Sequence, residues 1–184
     1  MRKLTYSYKL FVDKAYDGLF YESNSDGTPQ VLNYSGEIEH MDYRKGSIGR
    51  IFAVRIDHGE DVLSELSKLA IKEDIRSAFF IILGAVGSAE LVTGPKEKVV
   101  PPMTVWSSFD DAREILGAGN IFWENGAPKI HLHANTGNSE GMAMGCIRKK
   151  AEVFMVVEVF IIEMDIPAER KFNGTIGFSP IIFS

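Results

Sequence analysis

Three residues in one stretch of the chain have side chains that could bind a metal ion. The segment KIHLHANTGNSEGMAMGC contains His131 and His133, one residue apart, and ends at Cys146, the only cysteine in the sequence. Alternate side chains of a β-strand share a face, and their Cα atoms lie roughly 6.5–7 Å apart. Two imidazoles placed in this way can reach one ion, and Cys146 would add a thiolate.

Two imidazole nitrogens and one sulfur suit a divalent transition metal, zinc first, with copper, nickel and iron less well matched. Three protein ligands would leave one coordination position for water or substrate, as in catalytic zinc sites. The alternative is structural, since a His-x-His pair on a strand is often hydrogen-bonded or part of an interface. Cys146 lies 13 positions after His133, so only the fold can bring the thiol close.

Two glutamates are weaker candidates for catalysis. Glu158 interrupts the apolar run FMVVEVFII, and Glu114 lies in REIL. A carboxylate inside an apolar strand needs a partner or a raised pKa, which would suit an acid–base residue or a group that supports a metal ligand. The structural interpretation is favoured: Glu158 pairs with Arg55 or Arg148 or faces water, and Glu114 is an ordinary strand carboxylate. Whether the protein is an enzyme stays open.

A hairpin is expected to position the two histidines. Asn125-Gly126 between two β-like runs is a strong signal for a two-residue turn. With that turn, His131 would lie opposite Asn120, and His133 would lie opposite Ala118.

Glycines inside strand patterns indicate bulges or the close approach of another group. Gly117 and Gly119 fall beside the expected partners of the histidines and leave room for a ligand or another backbone, so they join Asn120 as pocket candidates. The run GAVGSA, Gly84 to Ala89, lacks the Gly-Lys-Ser/Thr ending of a phosphate loop and predicts a bulge instead.

The remaining pattern predicts an α+β fold, mainly an antiparallel sheet with one principal helix. We expect a strand over Arg50–Asp57, and then a helix capped by Asp57, with Glu60 three residues on, that runs to about Lys72. Ile75–Val92 predicts one long strand or two short ones, and Ala151–Asp165, apolar on both faces, predicts a central strand. Residues 1–48 read as an N-terminal arm and residues 49–184 as the domain.

Composition narrows the classes of function. The 184 residues carry a net charge of −5, which argues against a protein whose main work is to neutralise phosphates; Arg148–Lys150 is a short basic cluster. A single cysteine excludes an internal disulfide, and no signal peptide or membrane span is evident. These features predict a cytoplasmic protein without a membrane partner.

Several ordered blocks resemble the plants and prokaryotes conserved domain family, which in plants occurs beside AT-hooks. They are RIDHGEDVLSELSKLAIKEDIRSAFFIILGAVGSAEL, REILGAGNI, and KIHLHANTGNSEGMAMGCI followed by VFMVVEVFIIEM, and the likeness covers about Arg50 to Asp165. The resemblance implies an α+β domain that assembles as a homotrimer. Many prokaryotic members carry a histidine where Cys146 stands, and the fold is similar to that of acetolactate decarboxylase, in which histidines hold a catalytic zinc.

Three functions are therefore considered. The first is a metal-binding homotrimer with a small-molecule or metal-dependent enzymatic role, acting on a small carboxylate or carbonyl compound. The alternative is a DNA-associated regulatory or interaction module, against which stand the acidic chain and the missing Arg-Gly-Arg-Pro of an AT-hook. The third is an assembly domain in which the histidines are purely structural.

Overall fold

The computed structural model describes residues 20–23, 29–32 and 38–39 as strands, and residues 41–184 throughout. The chain divides into two compact units, Met1–Tyr43 and Arg44–Ser184. In the first, β1 (Phe20–Ser23), β2 (Pro29–Leu32) and β3 (Ile38–Glu39) form an antiparallel sheet in that order. Most of the expected arm over residues 1–48 lies outside the described residues, so its boundary and role stay predictions.

The second unit contains one described helix and eight strands. In chain order they are β4 (Ile48–Asp57), α1 (Val62–Lys72), β5 (Ser77–Pro95), β6 (Thr104–Phe109), β7 (Arg113–Glu124), β8 (Ala127–Asn138), β9 (Gly141–Met164), β10 (Ala168–Arg170) and β11 (Ile181–Phe183). The strands form one sheet that is antiparallel except where β10 meets β7, through the single pair Glu169 and Trp123. The α+β class and the mainly antiparallel sheet are confirmed.

Four long strands form a closed ring, in which each strand pairs with two others. β5 pairs with β7, β7 with β8, β8 with β9, and β9 with β5. β4 pairs with the second half of β9, and β6 pairs with the end of β5. The segment expected as a separate strand over Ala151–Asp165 is the continuation of the strand that begins at Gly141, so Cys146 lies on the same strand as Glu158.

The inner face of this ring is the hydrophobic core. The inward side chains alternate with outward ones along each strand, as the period of a pleated sheet requires. The largest fully buried side chains of the strands include Phe80, Ile82, Ile121, Leu132, Ile147 and Ile161. The helix adds a stripe at helical spacing, Val62, Leu66 and Ala70, which is fully buried. Packing in the core therefore accounts for the apolar residues next to the histidines, Leu132 and Ala134.

The helix begins four residues later than the sequence pattern predicts. Asp61, and not Asp57, is the N-cap: its carboxylate accepts a hydrogen bond from the Ser64 backbone N–H at 2.8 Å. Asp57 instead ends β4, because the strand extends through the last polar residue of the Arg50–Asp57 pattern. The predicted end at Lys72 is confirmed. In residues 41–184, α1 is the only helix, and its 11 residues are too few to cross a bilayer.

The predicted hairpin is confirmed together with its register. Asn125 and Gly126 both have positive φ, 51° and 80°, as a two-residue turn of the primed type requires. The pairing places His131 opposite Asn120 and His133 opposite Ala118.

The glycine-rich part of β5 is continuous but irregular. Gly84 has a φ of 136°, and the pairing between β5 and β9 shifts between Gly84 and Val86 and again before Ser88. Of the two expectations for this segment, one long strand is therefore confirmed, with bulges at the glycines and not a break. No phosphate loop forms there.

Candidate metal centre

Backbone pairing alone brings the two histidines and the cysteine onto one face. Leu132 and Ala134 are buried inside the ring, so His131 and His133, which alternate with them along β8, project outward. Cys146 lies directly opposite His133 in the ladder between β8 and β9. Opposed residues of an antiparallel pair share a face, which supplies the convergence that sequence spacing left open.

The distances fit one shared ion. The Nε2 atoms of His131 and His133 are 3.1 Å apart, and the candidate ligand atoms of the two histidines and Cys146 all lie within 4.8 Å of one another. Tetrahedral zinc with ordinary bond lengths would need nitrogen atoms roughly 3.3 Å apart and a sulfur roughly 3.6 Å from each. The two imidazole nitrogens already have nearly this spacing, and the donor set of two nitrogens and one sulfur matches zinc chemistry.

The three candidate ligands differ in how deeply they are buried. Cys146 is 3% exposed, His131 is half-buried and His133 is exposed. The thiol makes only a weak contact, 3.9 Å, with the carbonyl oxygen of Ile147. The sulfur therefore lies at the protein side of the cluster, and the exposed imidazole of His133 lies at its solvent side.

Arg170 on β10 borders the site beside His131. One guanidinium nitrogen, Nη2, donates to Asn120 Oδ1 at 2.8 Å and lies 3.3 Å from His131 Nδ1, while Nη1 donates to the Ser179 carbonyl at 2.6 Å. The Ser179 hydroxyl donates in turn to Glu124. Asn120, a predicted pocket residue, therefore reaches the cluster through Arg170.

These contacts determine which nitrogen of His131 carries its proton. A guanidinium can only donate, so Nδ1 accepts from Arg170 and the neutral ring holds its proton on Nε2, facing His133. Burial, then Arg170, His133 and Arg148, lower the pKa of His131 from 6.5 to about 4. The ring is thus neutral at physiological pH, which is the protonation state a metal ligand needs.

The two glycines serve the core and not the outer face. A Cβ on Gly119 would collide with Phe80 Cζ and with the carbonyl oxygen of His131. A Cβ on Gly117 would lie 2.6 Å from the carbonyl oxygen of His133. Of the two expectations for these glycines, the close approach of another chain segment accounts for both, and neither leaves space for a ligand beside the imidazoles.

Neither glutamate joins the cluster. Among the described residues, the group of potential ligands consists of His131, His133 and Cys146 alone. Glu114 is exposed opposite Gly137, and Glu158 is exposed opposite Arg55. Of the two structural alternatives for Glu158, exposure to water is the one found in the single chain, and a buried pair with Arg55 or Arg148 does not form.

The basic cluster after the cysteine is largely neutralised. Lys149 pairs with Glu90 at 3.1 Å, and Lys150 pairs with Glu152 at 2.6 Å. Phosphate-binding patches depend on clustered cations that are free to release counterions. Arg148, the third member, acts instead on the candidate site, where its charge contributes to the low pKa of His131.

Arg170 is the residue that sequence reasoning missed. It lies in IPAERKF, which has no motif and no strand periodicity, and it reaches the histidines only because β10 adds beside β7. The one available signal was an arginine in a short segment after the last long strand, which is too general to indicate a site.

Solved structures share this fold across nearly their whole length. A metal-containing protein from Archaeoglobus fulgidus is 26% identical with a TM-score of 0.69, and the match covers 77% of this chain and 99% of that one. A plant- and prokaryote-conserved protein from Pyrococcus horikoshii is 24% identical with a TM-score of 0.65, over 78% of this chain and 100% of that one.

A third structure, a protein from Ralstonia eutropha provisionally named as DNA-binding, is 22% identical with a TM-score of 0.61, and the match covers 72% of this chain and 90% of that one. No curated protein matches this chain at a significant level. The model of the Plants and Prokaryotes Conserved (PCC) domain matches residues 43–165, which include β4 through β9 with both histidines and the cysteine. The chain belongs to the Plants and Prokaryotes Conserved domain family.

Proposed function

We propose that this protein is a metal-binding domain in which His131, His133 and Cys146 hold one divalent transition ion, most suitably zinc. The observation that carries the proposal is the placement of the three donor atoms within 4.8 Å of one another on the outer face of the ring. The alternative, a purely structural histidine pair, gives no reason for the buried thiol to share that point.

The donor set also limits the metal. One thiolate with two imidazoles favours zinc over magnesium or calcium, which prefer oxygen ligands. A zinc ion bound here would supply a Lewis acid and lower the pKa of bound water. A thiolate ligand needs a reduced cysteine, which fits the cytoplasmic location expected of a chain with a single cysteine.

The chain's own residues would have defined parts. Cys146 provides the charge that offsets the cation, the two imidazoles fix its position, and Asn120 and Arg170 line one side of the site. No carboxylate of the described residues reaches the cluster. The fourth coordination position would therefore be left for water or a small ligand. The protein would act on that ligand either as a carrier or as an enzyme.

Elemental analysis tests the proposal. We expect protein purified without a histidine tag, and then incubated with zinc and desalted, to retain about one metal ion per chain. His133→Ala and Cys146→Ser should each lose most of it. His58→Ala removes an imidazole outside the cluster and should retain the metal. Metal at trace level in the wild type, or equal retention in all three variants, would refute the proposal.

We further propose that the chain self-associates, as a homotrimer, through the apolar outer face of the ring. In the ladder, Ile81 lies directly opposite both Ala118 and Phe160. Ile81 and Phe160 remain 43% and 47% exposed, and Leu116 remains 59% exposed. Contiguous exposed apolar side chains on a sheet are typical of an interface, and the family resemblance implies three copies.

Light scattering coupled to size-exclusion chromatography tests this part separately. The wild type should elute with the mass of three chains, and Ile81→Glu should give a smaller species. Ile71→Glu is the control, because Ile71 is 61% exposed on the helix and away from the sheet face. A monomeric wild type at micromolar concentration would refute self-association, and a dimer would refute the trimer.

DNA association remains the alternative function, as the provisional names of relatives from Ralstonia eutropha and Bacteroides thetaiotaomicron indicate. Because Lys149 and Lys150 both have carboxylate partners, we expect no measurable duplex binding at low salt. Binding whose affinity falls steeply with added salt would favour the alternative instead.

A further inference from the structure

Arg170 is a partly buried cation whose hydrogen bonding is incomplete. Its side chain has five N–H donors, and three contacts are formed, to Ser179, Asn120 and His131. Its Nε is buried without a hydrogen-bond partner, and among residues 41–184 no carboxylate lies within ion-pair distance of the guanidinium. A desolvated charge without a counter-charge is costly, which makes Arg170 a place for an anion.

Metal binding would release one more of these donors. In the structure, His131 Nδ1 accepts from Arg170, so the ring proton lies on Nε2. Ligation through Nε2 requires the other tautomer, with the proton on Nδ1, because the ligating nitrogen must offer its lone pair. Nδ1 would then be a donor that faces a donor, and Arg170 would lose its acceptor at the moment the ion is bound.

The charge of the site favours the same conclusion. One thiolate compensates only half the charge of a divalent ion, and the guanidinium groups of Arg170 and Arg148 both act electrostatically on His131. Two anionic groups act electrostatically on Arg170. The larger influence is that of Glu124, which already accepts a hydrogen bond from Ser179 and pairs with Lys129 at 3.3 Å, and the smaller is that of Cys146. The loaded site would therefore carry surplus positive charge.

We infer that Arg170 anchors a small carboxylate ligand beside the open coordination position of the metal. This inference rests on the proposed metal site and adds to it the class of ligand and the residue that selects it. The planar fork of a guanidinium matches the two oxygens of a carboxylate, which a lysine cannot reproduce. Arg170 is thus a binding residue for the ligand and not a ligand of the metal.

Cobalt provides a direct readout, because the visible absorption of Co²⁺ bound to nitrogen and sulfur changes when its coordination changes. The metal-free protein is first titrated with Co²⁺, and the loaded protein is then titrated with acetate. Acetamide, which has the same shape without the charge, is the ligand control. We expect acetate to change the spectrum at concentrations at which acetamide does not.

Variants assign the effect to Arg170. Arg170→Gln should still bind Co²⁺ but should weaken acetate binding by about tenfold to a hundredfold, the range expected for charge-assisted hydrogen bonds. Arg170→Lys keeps the charge without the planar fork, so its affinity for acetate should lie between those of the wild type and Arg170→Gln. It also replaces Arg170→Gln in the test if that variant does not fold. Lys149→Gln removes a cation that pairs with Glu90 and should behave as wild type.

The outcomes separate the two proposals. If the wild type binds no Co²⁺, the metal site fails and the inference fails with it, at the first titration. If Co²⁺ binds and both Arg170 variants take acetate as tightly as wild type, the inference alone is overturned. It is also overturned if acetamide competes equally, or if metal-free protein binds acetate with the same affinity.

Discussion

Acid should destabilise the metal-free protein through His131, and the structure gives the size of the effect. Burial, followed by the charge of Arg170, lowers the pKa of this imidazole from 6.5 to about 4 in the folded chain. An unfolded chain takes up a proton at this ring as pH falls through 6.5, whereas the folded chain does not until about pH 4. The contribution of His131 to stability is therefore complete above pH 6.5 and is lost as pH falls from 6.5 to 4.

One pKa unit corresponds to 1.36 kcal/mol, so the full difference is about 3.4 kcal/mol once pH is below both values. Between pH 7 and pH 5 the linkage relation gives about 2 kcal/mol. Because the ring is only half-buried, solvent screens part of its interactions, and we expect about 1 kcal/mol over this range. That is about a tenth of the roughly 5–15 kcal/mol by which a folded domain is stable.

Urea unfolding with a chelator present, at one fixed protein concentration, measures the effect at pH 7 and pH 5. The informative quantity is the difference between wild type and His131→Gln, since both share the loss from their carboxylates. The wild type should lose about 1 kcal/mol more than the variant. Arg170→Gln, which keeps most of the burial but removes one charge, should show a smaller loss than wild type. Equal losses in wild type and His131→Gln would show that the ring titrates normally and would refute the electrostatic description of the site.

Two further predictions concern the scaffold that positions the site. Gly119→Ala should cost about 1–3 kcal/mol of unfolding free energy, because its Cβ would enter the space of Phe80, whereas Gly141→Ala, with nothing within 4 Å, should change the melting temperature little. Asp61→Ala should cost about 1–2 kcal/mol, because the carboxylate both caps α1 and accepts from the Ala151 N–H at 2.8 Å. Asp61→Asn, which can still cap, should recover part of that loss in the same thermal unfolding assay, and equal melting temperatures for the Ala and Asn variants would contradict this role.

The hairpin and its register could be predicted because they depend on local rules. A two-residue Asn-Gly turn leaves one pairing for β7 and β8, and the alternation of the sheet then determines that His131 and His133 share the outer face. The histidine pair needed no knowledge of the rest of the chain. Cys146 shares that face because of one more hairpin, with its turn at residues 139–140. The register of this hairpin places Cys146 opposite His133.

The parts that could not be predicted depend on contacts between distant segments. The helix cap is Asp61 and not Asp57 because β4 pairs with β9 through Asp57 itself, a tertiary constraint that overrides a local capping pattern. Arg170 reaches the site through a three-residue strand that meets β7 at one residue pair. Both outcomes depend on long-range pairing, which a local sequence pattern does not encode.

The closed ring links the two proposed properties of this protein. Four pairings around the ring join five residues of its outer face, each directly opposite the next: Phe160, Ile81, Ala118, His133 and Cys146. The first and the last of them both lie on β9. Self-association through Ile81 and Phe160 would therefore take place two strands from His133, the exposed ligand, and would narrow the approach to the open coordination position. A copy packed on that face leaves the side of Arg170 as the route for a ligand, which is the side that carries the positive charge. Selection of small anions would then result from the assembly as well as from the arginine, and the Ile81→Glu variant should bind acetate with weaker discrimination against larger carboxylates than the wild-type oligomer does.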